Sequence, residues 1–138
     1  DELFAGYARH RTAYRRGGLV ALQEELDLDI GRIGRRNLGR DDRVVADAGR
    51  EARFPYLDED VVALARKELA LTDLADLDAP PGIGCKRVLR DLARNLGLGE
   101  CANLVKRAIQ FGTRIAPHSN RLAFGSNRRA DGAAPFSI

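Results

Sequence analysis

One proline constrains this chain more than any other residue. Pro55 ends the run GRDDRVVADAGREARFPYLD, which extends from Gly39 to Asp58. Proline fixes its own φ and pushes the preceding Phe54 out of the helical region. A helix beginning near Arg43 therefore has to stop by Arg53. Before the Phe54-Pro55-Tyr56-Leu57 knot stand eight charged residues of both signs: Arg40, Asp41, Asp42, Arg43, Asp47, Arg50, Glu51 and Arg53. That order suits a segment that crosses a polar site and then dives into a core. Asp58, with Glu59 and Asp60 behind it, is placed to cap the next helix and to load its first turn with favourable charge. Composition alone favours a plainer outcome, a salt-bridged connector between two helices.

The flanking sequence reads as helices. Leu3, Phe4 and Tyr7 recur at helical spacing, with Asp1 and Glu2 where a helix start favours acids. Gly6 is costly inside a helix and points to a close backbone approach. His10, among arginines, reads as solvent-facing or hydrogen-bonded. Gly17-Gly18 breaks this first helix. Leu19, Leu22, Leu26, Ile30 and Ile33 then define an amphipathic helix. Glu24, Glu25, Asp27 and Asp29 give it a solvated acidic face, and Gly34 and Gly39 loosen its last turns. Asp58 to Leu69 predicts a helix with Val61, Val62, Ala65 and Leu69 inward. Leu71 to Asp78 is a short helical turn or an acidic loop, and Ala79-Pro80-Pro81-Gly82 is a break. Cys85 to Leu96 is the clearest helix, with Cys85, Val88, Leu89, Leu92, Ala93 and Leu96 on its apolar face. Gly97 and Gly99 stop it. Glu100 to Val105 is a short turn or connector. From Pro117 the pattern fades into a weakly ordered tail over 117–138.

Composition excludes several classes of function. The chain has 138 residues, 44% of them hydrophobic, enough for one modest core. No apolar stretch reaches membrane-spanning length, and no signal peptide is visible. The chain opens on Asp1 and contains no methionine, so a piece of a longer protein is expected. Net charge is only +3. Acids are interleaved with the arginines, so nucleic-acid binding is weakly signalled. Cys85 and Cys101 lack a zinc spacing and a nearby histidine, and both are expected reduced, in a cytoplasmic setting. Asp41, Asp42 and Asp47 could hold a metal or pair with arginine, and the local excess of arginine favours pairing. Gly82-Ile83-Gly84 is either a faint phosphate cradle or a glycine pair entering a helix.

Four landmarks together resemble the synthetase domain of the asparagine synthetase family. DELFAGYARHR at 1–11 looks like the stretch that follows the family's second glycine-rich turn. Asp42-Arg43 through Arg50-Glu51-Ala52-Arg53-Phe54-Pro55-Tyr56-Leu57-Asp58 is similar to its Asp-Arg…Glu-x-Arg-x-Pro-Phe-Leu-Asp segment. Lys86-Arg87-Val88-Leu89-Arg90 is similar to its Lys-x-x-Leu-Arg helix, and Lys106 to Ile115 to its last basic loop. They occur in order over residues 1 to about 116.

The resemblance implies a mainly α fragment, the helical C-terminal portion of an α/β ATP-pyrophosphatase domain. It implies a glutamine-hydrolysing ligase of asparagine biosynthesis that uses ATP and Mg2+. Such an enzyme adenylates aspartate and then amidates it with ammonia, which a separate domain frees from glutamine. On this basis Asp1 is the expected magnesium ligand, and Lys106 and Arg107 are expected to face the phosphates. The family's usual lysine in the last loop, three positions before Phe111, is Ala108 here. That departure keeps a non-catalytic binding or scaffold module open as the alternative. A small helical nucleic-acid-binding protein ranks last.

Overall fold

The structure is a computed structural model. It describes residues 1–106 and, beyond them, residues 118, 121 and 122. Asp1–Val105 forms one compact unit and Lys106–Ile138 a second. Among the described residues the secondary structure is entirely helical. Arg107, Ala108, Phe111 and most of the expected tail lie outside the described residues.

Asp1 to Ala5 is a turn rather than the start of a helix. The apolar residues drawn to helical spacing are buried by a different route. Leu3, Phe4 and Ala5 plug the middle of the unit, at 5%, 7% and 1% exposure. Helix α1 begins only at Ala8, with an extended Tyr7 as N-cap and no acid in its first turn. It runs to Ile33 with a kink at Gly17 and Gly18, where φ is −148° and +64°. The expected break is therefore a bend between two helical halves.

Past Ile33 the chain does not loosen. It widens into a π-turn over Gly34–Leu38 and continues as α2, Gly39–Asp47. The connector helix thus starts earlier than Arg43, and it ends well before Arg53. No residue of α2 is buried. The knot Pro55–Leu57 forms one 3-10 turn. It meets the core only in part: Leu57 packs against the cluster of Leu3, Phe4, Ala65 and Leu74, while Tyr56 is 58% exposed, with its ring edge-to-face on Phe4 at 5.9 Å.

Helix α3, Glu59–Ala63, is capped as expected, the Asp60 N–H donating to Asp58 Oδ1 at 3.0 Å. A second π-turn, Leu64–Glu68, completes the Asp58–Leu69 segment. Two single-turn helices follow, α4 at Leu71–Leu74 and α5 at Pro81–Gly84. Helix α6 covers Arg87–Asn95 and α7 covers Gly99–Ala102.

The core has two clusters. One joins Ala5 to Leu22, Leu26, Ala75 and Leu77. The other joins Leu3 and Phe4 to Ala65 and Leu74, with Val61, Val62, Leu69, Val88 and Leu89 against it. Complete burial of leucines such as Leu22 and Leu74 stabilises the fold by about 2 kcal/mol each.

Helix α6 departs most from its pattern. Cys85 is buried but extended and outside the helix, and Lys86 before it is left-handed at φ +56°. Leu92 and Leu96 are exposed, whereas Arg90 on the supposed polar face is buried. Its guanidinium donates to the carbonyls of Cys85, Ala102 and Leu104. Backbone carbonyls thus satisfy a cation that periodicity would place in solvent. Asp29 of α1, expected on a solvated acidic face, is also buried, at 2% exposure.

Candidate functional site

The turn that plugs the core also forms one wall of a cleft of about 400 Å³. Asp1, Lys86, the Arg53 bend and the Phe54–Leu57 knot all line it. Asn37 of the π-turn and Asp41 of α2 face it as well. Asp1 and the Arg53 bend, far apart in sequence, therefore share one concave surface.

Asp1 is placed by close packing. Its carboxylate oxygen Oδ1 lies 2.5 Å from Lys86 Nζ, and both side chains are only partly exposed. Lys86 reaches this position because its N–H donates to the Phe4 carbonyl at 3.2 Å, tying α6 to the turn. Left-handed backbone at a lysine costs about 1–2 kcal/mol, so the packing holds it there. Gly6 closes the arrangement: its N–H donates to the Asp1 carbonyl at 2.9 Å. A Cβ at Gly6 would lie 2.2 Å from Asp1 Oδ1 and 2.6 Å from Lys86 Cε. The expected close approach at Gly6 is this contact. We predict that Gly6→Ala parts the Asp1–Lys86 pair and lowers the stability of the intact protein by about 2 kcal/mol, read from the urea midpoint.

Glu2 beside it is equally fixed. Its Oε1 accepts from the Tyr7 hydroxyl at 2.7 Å and from Asn37 Nδ2 at 2.9 Å. Burial, with Glu2 as acceptor, pushes the Tyr7 phenol up to about 12, so it remains a donor. Arg53 is highly exposed and pairs with Glu51 at 2.9 Å. Arg40 pairs with Asp41 at 2.7 Å, also exposed. Arginine pairing accounts for Asp41, and among the described residues no group of three or more His, Cys, Asp or Glu is placed to hold a metal.

Behind the turn lies a buried polar cluster that the sequence pattern did not reveal. His10 is fully buried, with Nε2 2.9 Å from Asp29 Oδ2. Its Nδ1 accepts from the Tyr7 backbone N–H at 3.3 Å. Arg9 and Arg32 both donate to Asp29. Burial works to raise the Asp29 carboxyl, but the hydrogen bonds from Arg9, His10 and Arg32 outweigh it and hold it below its ordinary value. Burial is also the largest influence on His10 and keeps the imidazole below its ordinary value, although Asp29 pulls the other way.

Of the residues expected at a site, Asp1 lines the cleft. Lys106 belongs to the second unit, and Arg107 lies outside the described residues. The expectation missed Lys86, Glu2 and Asn37 as cleft residues. The signal for Lys86 was its leading place in the Lys-x-x-Leu-Arg stretch, and for Glu2 its adjacency to Asp1. Nothing in the local sequence marks Asn37, which a π-turn delivers.

No protein-family profile matches the chain, and no solved structure matches it. Curated relatives do. The chain is 53% identical over 116 residues to human asparagine synthetase domain-containing protein 1, covering 84% of this chain and 18% of that protein. The chicken protein of the same name is 52% identical over the same length and shares. A putative glutamine-hydrolysing asparagine synthetase of Methanocaldococcus jannaschii is 34% identical over 139 aligned positions, covering 82% of this chain and 26% of the relative. The chain thus spans about a fifth of the length of the first of these relatives. At this identity, over most of its residues, the chain belongs to the asparagine synthetase family, among its asparagine synthetase domain-containing proteins.

Proposed function

We propose that this segment is part of an ATP-dependent ligase that makes asparagine by adenylating aspartate and amidating it with ammonia. In this reading it is the helical C-terminal portion of an α/β ATP-pyrophosphatase domain, and glutamine hydrolysis occurs elsewhere in a cytoplasmic protein. The observation that carries the proposal is the Asp1–Lys86 pair at the wall of a cleft shared with the Arg53 bend.

The residues fit magnesium-bound nucleotide in kind. Magnesium is commonly held by one or two carboxylates together with substrate phosphates and water. Asp1 supplies one carboxylate, and its pairing with Lys86 puts a cation beside it, suited to phosphate oxygens. The bound ion would neutralise a departing pyrophosphate. The chain's own part is to fix Asp1 through Gly6 and to keep Glu2 ionised and oriented through Tyr7 and Asn37. Lys106 and Arg107 are proposed as phosphate-facing cations on the family resemblance alone.

The test is magnesium-dependent ATP binding to the intact protein. Asp1→Asn is expected to weaken it by about tenfold, the loss typical of a charged contact, by calorimetric titration with and without magnesium. Unchanged affinity would remove Asp1 from the site. One observation favours a second reading, a non-catalytic binding or scaffold module: Ala108 stands where the family usually has its last-loop lysine. Magnesium-ATP binding without formation of asparagine and pyrophosphate would support that reading.

A further inference from the structure

The cluster behind the turn is more elaborate than packing needs. His10 is wholly buried between two partners that demand opposite things of its ring. The Tyr7 N–H needs an acceptor and meets Nδ1 at 3.3 Å. Asp29 needs a donor and meets Nε2 at 2.9 Å. Only the neutral ring with its proton on Nε2 satisfies both.

Tyr7 is the joint between this ring and the cleft. Its N–H is held by His10, and its hydroxyl donates to Glu2, which Asn37 also holds. The Gly6 N–H bonds back to the Asp1 carbonyl, so the turn from Asp1 to Tyr7 closes on itself. Whatever fixes the Tyr7 backbone fixes the far side of that loop. We propose that His10 is a positioning residue for the cleft: its neutral ring holds the Tyr7 backbone, and with it the turn that carries Asp1 and Glu2, and a proton on Nδ1 releases that hold.

The charges around the ring sharpen the effect. Asp29 already takes hydrogen bonds from Arg9 and Arg32, and Glu25 lies 3.4 Å from Arg9 and 3.9 Å from Arg32. These two carboxylates and two guanidiniums cancel. A protonated His10 adds an unbalanced buried cation and turns Nδ1 into a donor facing the Tyr7 N–H. Arg9 also stacks on the Tyr7 ring at 4.0 Å, so the same residue borders both sides of the joint. Release lowers the order of the turn and the affinity of the cleft together.

The proposal rests on the cleft being the nucleotide site only for its affinity arm, and two substitutions separate the functions of the ring. Asn at position 10 can accept from the Tyr7 N–H but does not reach Asp29. Leu fills a similar volume but offers neither an acceptor to Tyr7 nor a donor to Asp29. Hydrogen exchange of the amides of residues 1–7 is read in the intact protein, alongside calorimetric titration with magnesium-ATP. His10→Leu is expected to speed exchange in the turn by about tenfold and to weaken magnesium-ATP by a similar factor. His10→Asn is expected to keep both near wild type. After correction for intrinsic rates, wild-type protection of the turn should fall as pH drops below about 6.5, and that of His10→Asn should not. Equal behaviour of the two variants, or a flat wild-type profile, overturns the proposal. If wild type binds no magnesium-ATP while exchange divides as stated, the nucleotide reading fails and the role of His10 stands.

Discussion

Gly84→Ala is expected to cost the intact protein about 3 kcal/mol of stability, the upper part of the usual range for overpacking. A Cβ on Gly84 would lie 1.7 Å from the Asp76 carbonyl oxygen and 2.9 Å from its carbon. Both are backbone atoms, so no flexible side chain can yield. The contact also carries a bond, since the Asp76 N–H donates to the Gly84 carbonyl at 2.9 Å. Relieving the clash therefore breaks the link between the α4–α5 connection and the residues entering α6. Leu77, buried at 3% exposure in the first core cluster, sits next to that link and would shift with it. Urea unfolding of the intact protein measures the loss. Gly31→Ala is the control: its Cβ meets nothing within 4 Å, and in a helix it should be neutral or stabilising by up to about 1 kcal/mol. A Gly84→Ala loss no larger than the noise of that control would show that the two backbones do not meet.

Asp29→Ala is the second large effect, with an expected loss of about 3 kcal/mol, as when one partner is removed from a buried ionic group. Arg9 and Arg32 would be left with Glu25 alone in place of two carboxylates, and His10 Nε2–H would lose its acceptor. The pH dependence of this cluster follows from its two depressed groups, His10 and Asp29. His10 titrates below its ordinary 6.5 in the fold, so the unfolded chain takes up its proton first and stability falls as pH drops below that value. Asp29 is held below its ordinary 3.8, so its contribution is present above that pH and is lost as pH falls through its lower folded value. Acid unfolding of wild type should therefore begin gently below about pH 6.5 and steepen below about pH 4. Asp29→Ala should make the steeper part shallower, Glu2 keeping its own share, measured by thermal melts across that range. An unchanged low-pH limb would show that the Asp29 hydrogen bonds contribute no net stability.

The helical class and several local features were legible because they depend on local chemistry. Asp58 capped its helix, Gly17-Gly18 bent α1, and Val61, Val62, Ala65 and Leu69 packed inward. What stayed hidden depends on contacts between distant residues. Asp29 and Arg90 look like surface charge by period, yet each is buried because partners elsewhere satisfy it. Leu3 and Phe4 have helical spacing but belong to a turn that fills the core from one side. The connector helix stopped at Asp47, just before Gly49 at φ +67°, rather than at Pro55, and whether Tyr56 faced a core or a cleft depended on Phe4, distant in sequence. At the site, Asp1 was legible through its family stretch. Lys86 was quoted in another, and its left-handed backbone has no marker in the residue itself.

The buried Arg90 ties two distant stretches of main chain to one side chain. Its guanidinium holds the carbonyl of Cys85, just before Lys86, and those of Ala102 and Leu104, just before Lys106. Lys86 thus follows a peptide group moored to the same planar head as the last residues of the first unit. Any pull on the backbone near Leu104 is therefore transmitted, through about one side chain's length, to the residue that carries the cation facing Asp1. The spacing between those anchor points is set by the rigid geometry of one guanidinium rather than by the helix that runs between them.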